Sequence, residues 1–231
     1  MICEKIPHSE QIRKPKEGSS RKSAAAYFAR WTRARLPLLP LSGVPRKLPA
    51  RGSDLIMPAY HSKKNEDGFT EACGCAVCPL KTALRGPADP APAEEDDIID
   101  ETIMYFRANV LFRNFDIRGG ADKTLIYLTM HIVQCLVKCE RIEDKPAAIR
   151  ELRALSIKLF AIPGEPGFPL GGLFAAPANK AEGDLFRAYF KQAREELALR
   201  LCDRVFDADG SKSKWWQAFS KKKFMGKELK D

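Results

Sequence analysis

From Ile162 to Leu170 the chain reads Ile-Pro-Gly-Glu-Pro-Gly-Phe-Pro-Leu, and no helix crosses such a stretch. Pro163, Pro166 and Pro169 carry no amide hydrogen, and each pushes the residue before it out of the helical region. Prolines at every third position match a polyproline II strand of three residues per turn. That geometry sets the prolines on one edge, Gly164 and Gly167 on a second, and Glu165 and Phe168 on the third. The glycine edge lets another backbone come close. The stretch reads either as a rigid segment wedged between helices or against a partner, or as an ordinary interhelical loop. A phosphate-cradling loop is excluded, since neither a Gly-Lys-Ser/Thr ending nor a G-x-G-x-x-G spacing is present.

Helical patterns flank this break on both sides. Acidic Glu94 to Asp97 suit the start of a helix whose stripe is Ile99, Ile103, Phe106, Val110 and Leu111. Asp100 and Glu101 fall on its wet face and, being adjacent, point about 100° apart rather than converging as a catalytic pair. After the Gly119-Gly120 turn, Ala121 to Cys139 is apolar on nearly every side, which marks a buried central helix. His131 within it reads as a hydrogen-bonded core residue, and Cys135 and Cys139 as buried thiols. Pro146 opens a third helix to about Phe160, with Leu152, Leu155 and Leu159 facing inward. Asn179-x-x-Glu182 resembles a capping box. It starts a long amphipathic helix of about 27 residues, with Leu185, Phe186, Tyr189, Ala193, Leu197, Leu201 and Val205 inside and Arg187, Arg194, Glu195, Glu196 and Arg200 outside. Asp207 to Gly210 reads as a turn, because the acidic closing position of a calcium loop is missing. A last amphipathic helix runs from Lys212 through Trp215, Trp216, Phe219, Phe224 and Met225, with Lys221 to Lys223 interleaved.

Charge divides the chain unevenly. Of the net +9, residues 1 to 56 hold 12 Lys/Arg against 4 Asp/Glu, whereas residues 57 to 231 hold 27 against 26. The basic character belongs to the N-terminal part, and the remainder is close to neutral. Six prolines and one helix-like patch, Ser23 to Arg35, make residues 1 to 56 a disordered basic extension, or translated upstream sequence outside the working protein. An organelle presequence is the other reading, opposed by Glu4, Glu10 and Glu17. Met57-Pro-Ala-Tyr-His-Ser62 then reads like a natural start.

Seven cysteines, an odd number with no secretory signal in view, suit a reducing compartment and mostly free thiols. Cys73, Cys75 and Cys78 have a C-x-C-x-x-C spacing, but a fourth metal ligand is absent nearby and a short extended segment is the simpler account.

The chain from Met57 onward resembles subunit 3 of the actin-related protein 2/3 complex. The resemblance rests on Met57 to Ser62, Arg85-Gly-Pro87, Phe106-Arg-Ala-Asn-Val110, Thr124-Leu-Ile-Tyr127, Ile162 to Leu170, Pro177-Ala-Asn-Lys180, Arg187-Ala-Tyr189, Leu199-Arg-Leu-Cys202, Val205-Phe-Asp207 and Ser213-Lys-Trp-Trp216, all in order. The 56-residue extension has no counterpart in that family, and the cysteine-rich stretch replaces a small-apolar segment.

The resemblance implies an all-α fold: one compact multi-helix domain over residues 57 to 231, with a buried central helix, a long amphipathic helix and extended Pro/Gly loops. It implies a non-catalytic structural subunit of a seven-subunit assembly that nucleates branched actin filaments. Such a subunit docks to the actin-related protein 3 subunit, contacts the filament through the complex, and works in the cytoplasm on the actin cytoskeleton. No cofactor, metal, membrane span or nucleic acid is expected. The candidate partner contacts are Met57, Pro58, Tyr60 and His61 of the arm, then Pro163, Gly164, Glu165, Pro166, Gly167, Phe168 and Pro169, then Lys214, Trp215 and Trp216. The alternative is a free-standing nucleic-acid-binding protein using the basic tail and the Trp/Lys helix. A zinc enzyme at Cys73 to Cys78 is a third.

Overall fold

Asp97 decides where the first helix begins. In the computed structural model, which describes residues 59 to 229 apart from Ala208, its side chain accepts from the amides of Ile99 and Asp100, and the Asp100 carboxylate returns a bond to the Asp97 amide. This capping box opens α1 (Ile98–Asn109). Helix α2 (Gly120–Cys139) follows and is buried along most of its length and on nearly every side. Asp144 caps α3 (Lys145–Ile157), which carries proline in its first turn. Asn179 caps α4 (Lys180–Val205), 26 residues long, and α5 (Lys214–Gln217) is a single turn. The expected all-α fold class holds, with α2 at the centre and α1, α3 and α4 packed on it. Among the described residues no helix is long and apolar enough to cross a membrane.

Among the described residues the one sheet is a two-residue hairpin, β1 (Glu71–Ala72) against β2 (Cys75–Ala76). Cys73 and Gly74 between them have φ of 54° and 73°, and a two-residue hairpin turn of type I′ requires positive φ at both. The C-x-C-x-x-C pattern is thus a turn and the strand leaving it. Burial pushes the Cys78 thiol up to about 12 and that of Cys75 well above its ordinary value. Such thiols stay protonated at neutral pH.

Several sequence expectations need correction. The Pro/Gly stretch forms tandem turns, not a polyproline II strand. Glu165 N–H donates to Ile162 O at 3.0 Å and Phe168 N–H to Glu165 O at 3.3 Å, while Gly164 and Gly167 take φ of 88° and 93°. These are Pro-Gly turns, with proline presetting the second position and glycine supplying positive φ at the third. Helix α3 stops at Ile157, which leaves Leu159 exposed. The last helix ends at Gln217, and Phe224–Gly226 is a separate 3-10 turn in which Met225 has φ of 52°.

Two charged residues assigned to water are inside. Glu101 is 3% exposed, because the N-terminal arm crosses it: Ser62 Oγ–H donates to its carboxylate at 2.7 Å and Lys63 N–H at 3.3 Å. Arg194 is 1% exposed, with its guanidinium carbon 4.5 Å above the Phe160 ring and Nη2 donating to Leu155 O at 3.0 Å. Cation–π attraction and the end of α3 hold this charge. Within α2, His131 makes the core hydrogen bonds expected of it, to Gln134 and Ser156. Burial first and Arg194 second hold its imidazole well below the usual range, so it is neutral.

Candidate partner interface

The arm is fastened to α1 and α2 by side chains that copy backbone pairing. Tyr60 N–H donates to Asn109 Oδ1 at 3.0 Å, and Asn109 Nδ2 donates back to Tyr60 O at 2.8 Å. Asp122, in the first turn of α2, accepts from Ser62 N–H at 2.8 Å, from His61 Nδ1–H at 2.8 Å and from Arg118 N–H at 3.0 Å. A buried carboxylate at a helix N-terminus is favoured by the exposed amides there, and each of these donors strengthens it. His61 packs on Phe115, with ring centroids 4.9 Å apart, and is partly exposed. Tyr60 stacks on Tyr105 at 5.3 Å yet stays 46% exposed. Met57 and Pro58 lie outside the described residues.

The Pro/Gly segment divides into an anchored part and a tip. Pro163 is buried, and Phe168 packs edge-on against Phe174 and Phe186 with centroids 5.5 and 6.5 Å apart. Lys227 Nζ donates to Pro169 O at 3.0 Å. Gly164, Glu165, Pro166 and Gly167 are exposed. Glu165 braces its own turn, accepting from Ile162 N–H at 2.9 Å and from Arg187 Nη2 at 2.8 Å. The expected glycine edge survives only at Gly164, where an added Cβ would lie 3.1 Å from Ala176 Cβ; at Gly167 the space is open.

Adjacent tryptophans have opposite roles. Trp216 stacks on Phe106 of α1 with centroids 5.6 Å apart, and Phe219 meets the same ring edge-on at 5.9 Å. That contact fixes the short α5, so Trp215, one residue earlier and about 100° around the helix, points outward and is 76% exposed. Lys214 beside it is exposed too. The arm and the Trp turn therefore meet on α1, through Tyr105 and Phe106, whereas the Pro/Gly segment sits on α4.

Sequence reasoning missed the polar fastenings. Arg200 of α4 reaches Asp97 at 2.8 and 2.9 Å, Asp100 at 2.9 Å, Glu196 at 2.8 Å and the Lys81 carbonyl. Gln192 spans the loop before α1, donating to Leu84 O at 2.9 Å and accepting from Ala88 N–H at 3.1 Å. This explains glycine in Arg85-Gly86-Pro87, since a Cβ on Gly86 would lie 2.1 Å from Gln192 Oε1. The only sequence signal was a polar residue at i, i+4 and i+8 along α4: Gln192, Glu196 and Arg200.

Residues 57–229 match the family described as P21-Arc: ARP2/3 complex ARPC3 (21 kDa) subunit. Similar curated proteins include the actin-related protein 2/3 complex subunit 3 of Arabidopsis thaliana, 46% identical over 167 residues, covering 72% of this chain and 96% of the relative. The proteins of that name from Dictyostelium discoideum and Schizosaccharomyces pombe are each 46% identical as well. Their alignments cover 74% and 75% of this chain and 99% and 100% of theirs. The family consists of structural complex subunits, not enzymes. Matched through both the arm that binds α1 and the turn that carries the two tryptophans, the chain belongs to the ARP2/3 complex 21 kDa subunit family.

Proposed function

We propose that this protein is a non-catalytic subunit of an actin-related protein 2/3 complex in the cytoplasm, and that it supports nucleation of branched actin filaments by docking to the actin-related protein 3 subunit. The observation that carries the docking surface is Trp215: a tryptophan 76% exposed on a turn that Trp216 clamps to Phe106. Large aromatics held rigidly in water are what interfaces bury, and they contribute disproportionately to affinity. Tyr60, exposed and stacked on the same helix α1, extends the patch. The Pro/Gly tip at Glu165, Pro166 and Gly167 is a second, separate candidate contact.

The test is affinity purification of the tagged protein from its own cells, wild type against Trp215→Glu, with quantitative mass spectrometry of co-purifying chains. The wild type brings down both actin-related proteins and the remaining subunits in stoichiometric amounts. Trp215→Glu folds normally, since nothing in the core rests on that ring, and recovers roughly tenfold less of them. Full recovery by Trp215→Glu removes this residue from the interface, and a wild type that emerges alone overturns the function.

A further inference from the structure

Asp97, Glu101, Asp122 and Arg194 are the charged side chains buried among the described residues. The three carboxylates are well supplied with donors: Asp97 by backbone amides and Arg200, Glu101 by Ser62 and Lys63, Asp122 by His61, Ser62 and Arg118. Arg194 is met only by partial charges. Its Nη2 donates to Leu155 O at 3.0 Å and its guanidinium lies over the Phe160 ring, but its Nε is buried with no hydrogen-bond partner among the described residues. The acids beside it on α4 are committed to other arginines, Glu195 to Arg153 at 2.7 Å and Glu196 to Arg200 at 2.8 Å. Glu165 of the Pro/Gly loop is committed to Arg187 at 2.8 Å. Against this unmatched cation lies a small cavity of about 10 Å³, lined by Arg194, Tyr127, Gln134, Phe160 and, from the Pro/Gly loop, Gly167 and Pro169.

We propose that this cavity binds a single monatomic anion, a halide of the size of chloride, as the counter-ion of Arg194 where the end of α3, α4 and the Pro/Gly loop meet. Charge selects an anion over a neutral occupant. A buried cation without an ionic partner is costly, and an opposite charge offsets that cost where a water supplies only a dipole. Size selects a halide among anions, because such a cavity has room for about one water-sized occupant and a carboxylate, phosphate or sulfate exceeds it. The loop wall can yield to an ion somewhat larger than water, since the space around Gly167 is open. Tyr127 and Gln134 add groups able to donate to an anion. The site does not depend on the docking assigned to Trp215, which lies on α5 against α1.

The test combines a sodium bromide soak of crystals of the full chain, read by anomalous diffraction, with urea unfolding of the same chain in sodium chloride and in sodium gluconate at equal ionic strength. A bromide peak within about 3.5 Å of Arg194 Nε is expected. A ligand that binds only the folded chain raises the folded-to-unfolded ratio about tenfold when it stands about ninefold above its dissociation constant, so chloride should stabilise beyond gluconate and the gain should grow with its concentration. Arg194→Met keeps an unbranched stem and removes the charge; it should lose both the bromide peak and the difference between the two salts. Where Arg194→Met fails to fold, the wild-type bromide map and the salt comparison still decide. A wild-type map with water alone beside Arg194 overturns the proposal. A peak without any chloride effect beyond gluconate means binding at crystal concentration only, and a chloride effect that persists in Arg194→Met means an adventitious ion only; each of these overturns it too.

Discussion

The cysteine hairpin and the Pro/Gly loop are both non-helical segments laid on the first half of α4, and they are held by opposite means. The hairpin is held from outside. Its Cys78 amide donates to Tyr189 Oη at 3.1 Å, Tyr189 Oη–H returns to Cys78 O at 3.2 Å, and Thr124 Oγ1–H donates to Ala76 O at 2.8 Å. It even tolerates positive φ at a cysteine, a conformation most L-residues avoid, because the surroundings over-determine it. The loop takes its bends from within, by Pro-Gly turns whose geometry is set residue by residue, although Phe168, Arg187 and Lys227 fasten it to its neighbours. A segment that borrows its shape from the core turns its backbone hydrogen bonds inward. One that makes its own shape can leave its tip, Glu165 to Gly167, in water.

If that contrast is right, one atom should matter most in the hairpin. Tyr189→Phe keeps the ring against Phe190, at 5.3 Å, and removes only the hydroxyl. It strands a buried N–H and a buried C=O at Cys78 together, at about 3 kcal/mol. Urea unfolding measures this, and a loss below about 1 kcal/mol would mean that the hairpin, too, is locally determined.

The loop should respond to backbone chemistry instead. Gly167→Ala meets open space, so any cost is conformational, at about 1 kcal/mol for positive φ. Gly167→Asn should recover part of it, since asparagine visits that region more readily. Equal stability of all three proteins in the same urea experiment would mean that the second Pro-Gly turn is not populated.

The same division explains what the sequence disclosed. Helix starts were legible because their causes are local: Asp97, Asn179 and Pro146 each act within three residues of the end they cap. The burial of α2 was legible because no side of it is polar enough to face water. Turns at Pro163-Gly164 and Pro166-Gly167 were also within reach, but the threefold proline period outweighed the dipeptide. Glu101 and Arg194 were not legible, since their burial depends on chain 39 residues away in each case. A helical wheel sees only its own helix. Trp215 and Trp216 show the limit most directly: two identical neighbours, one clamped to Phe106 and one in solvent, separated by a contact that no local pattern encodes.

The smallest effect expected is electrostatic, and it tests the contrast within one chemistry. Each region is fastened by one glutamate held below the usual carboxylate range, Glu165 within the loop and Glu182 reaching the hairpin from α4. Backbone donors are the largest cause in both: Ile162 N–H and then Arg187 for Glu165, and Ala178 N–H and then Cys73 N–H for Glu182. A depressed folded pKa contributes stability that is complete above the unfolded value, about 4.3, and is lost as pH falls through the lower folded value. Acid should therefore weaken both regions below about pH 4.5, with solvent screening keeping the effect modest. Each glutamate uses both oxygens, and glutamine has one acceptor. Glu165→Gln and Glu182→Gln should thus lower the urea midpoint at pH 7 and narrow the gap to wild type at pH 3. Hydrogen exchange separates the two. Glu182 joins α4 to Cys73 across 109 residues, so its loss should release the Cys73 amide and loosen the hairpin from a distance. Glu165 joins the Ile162 amide across three and otherwise holds only the Arg187 side chain, so the backbone amide its loss should free lies in its own turn. Release confined to the local turn in both variants would erase the distinction between a segment shaped by the core and one shaped by its own residues.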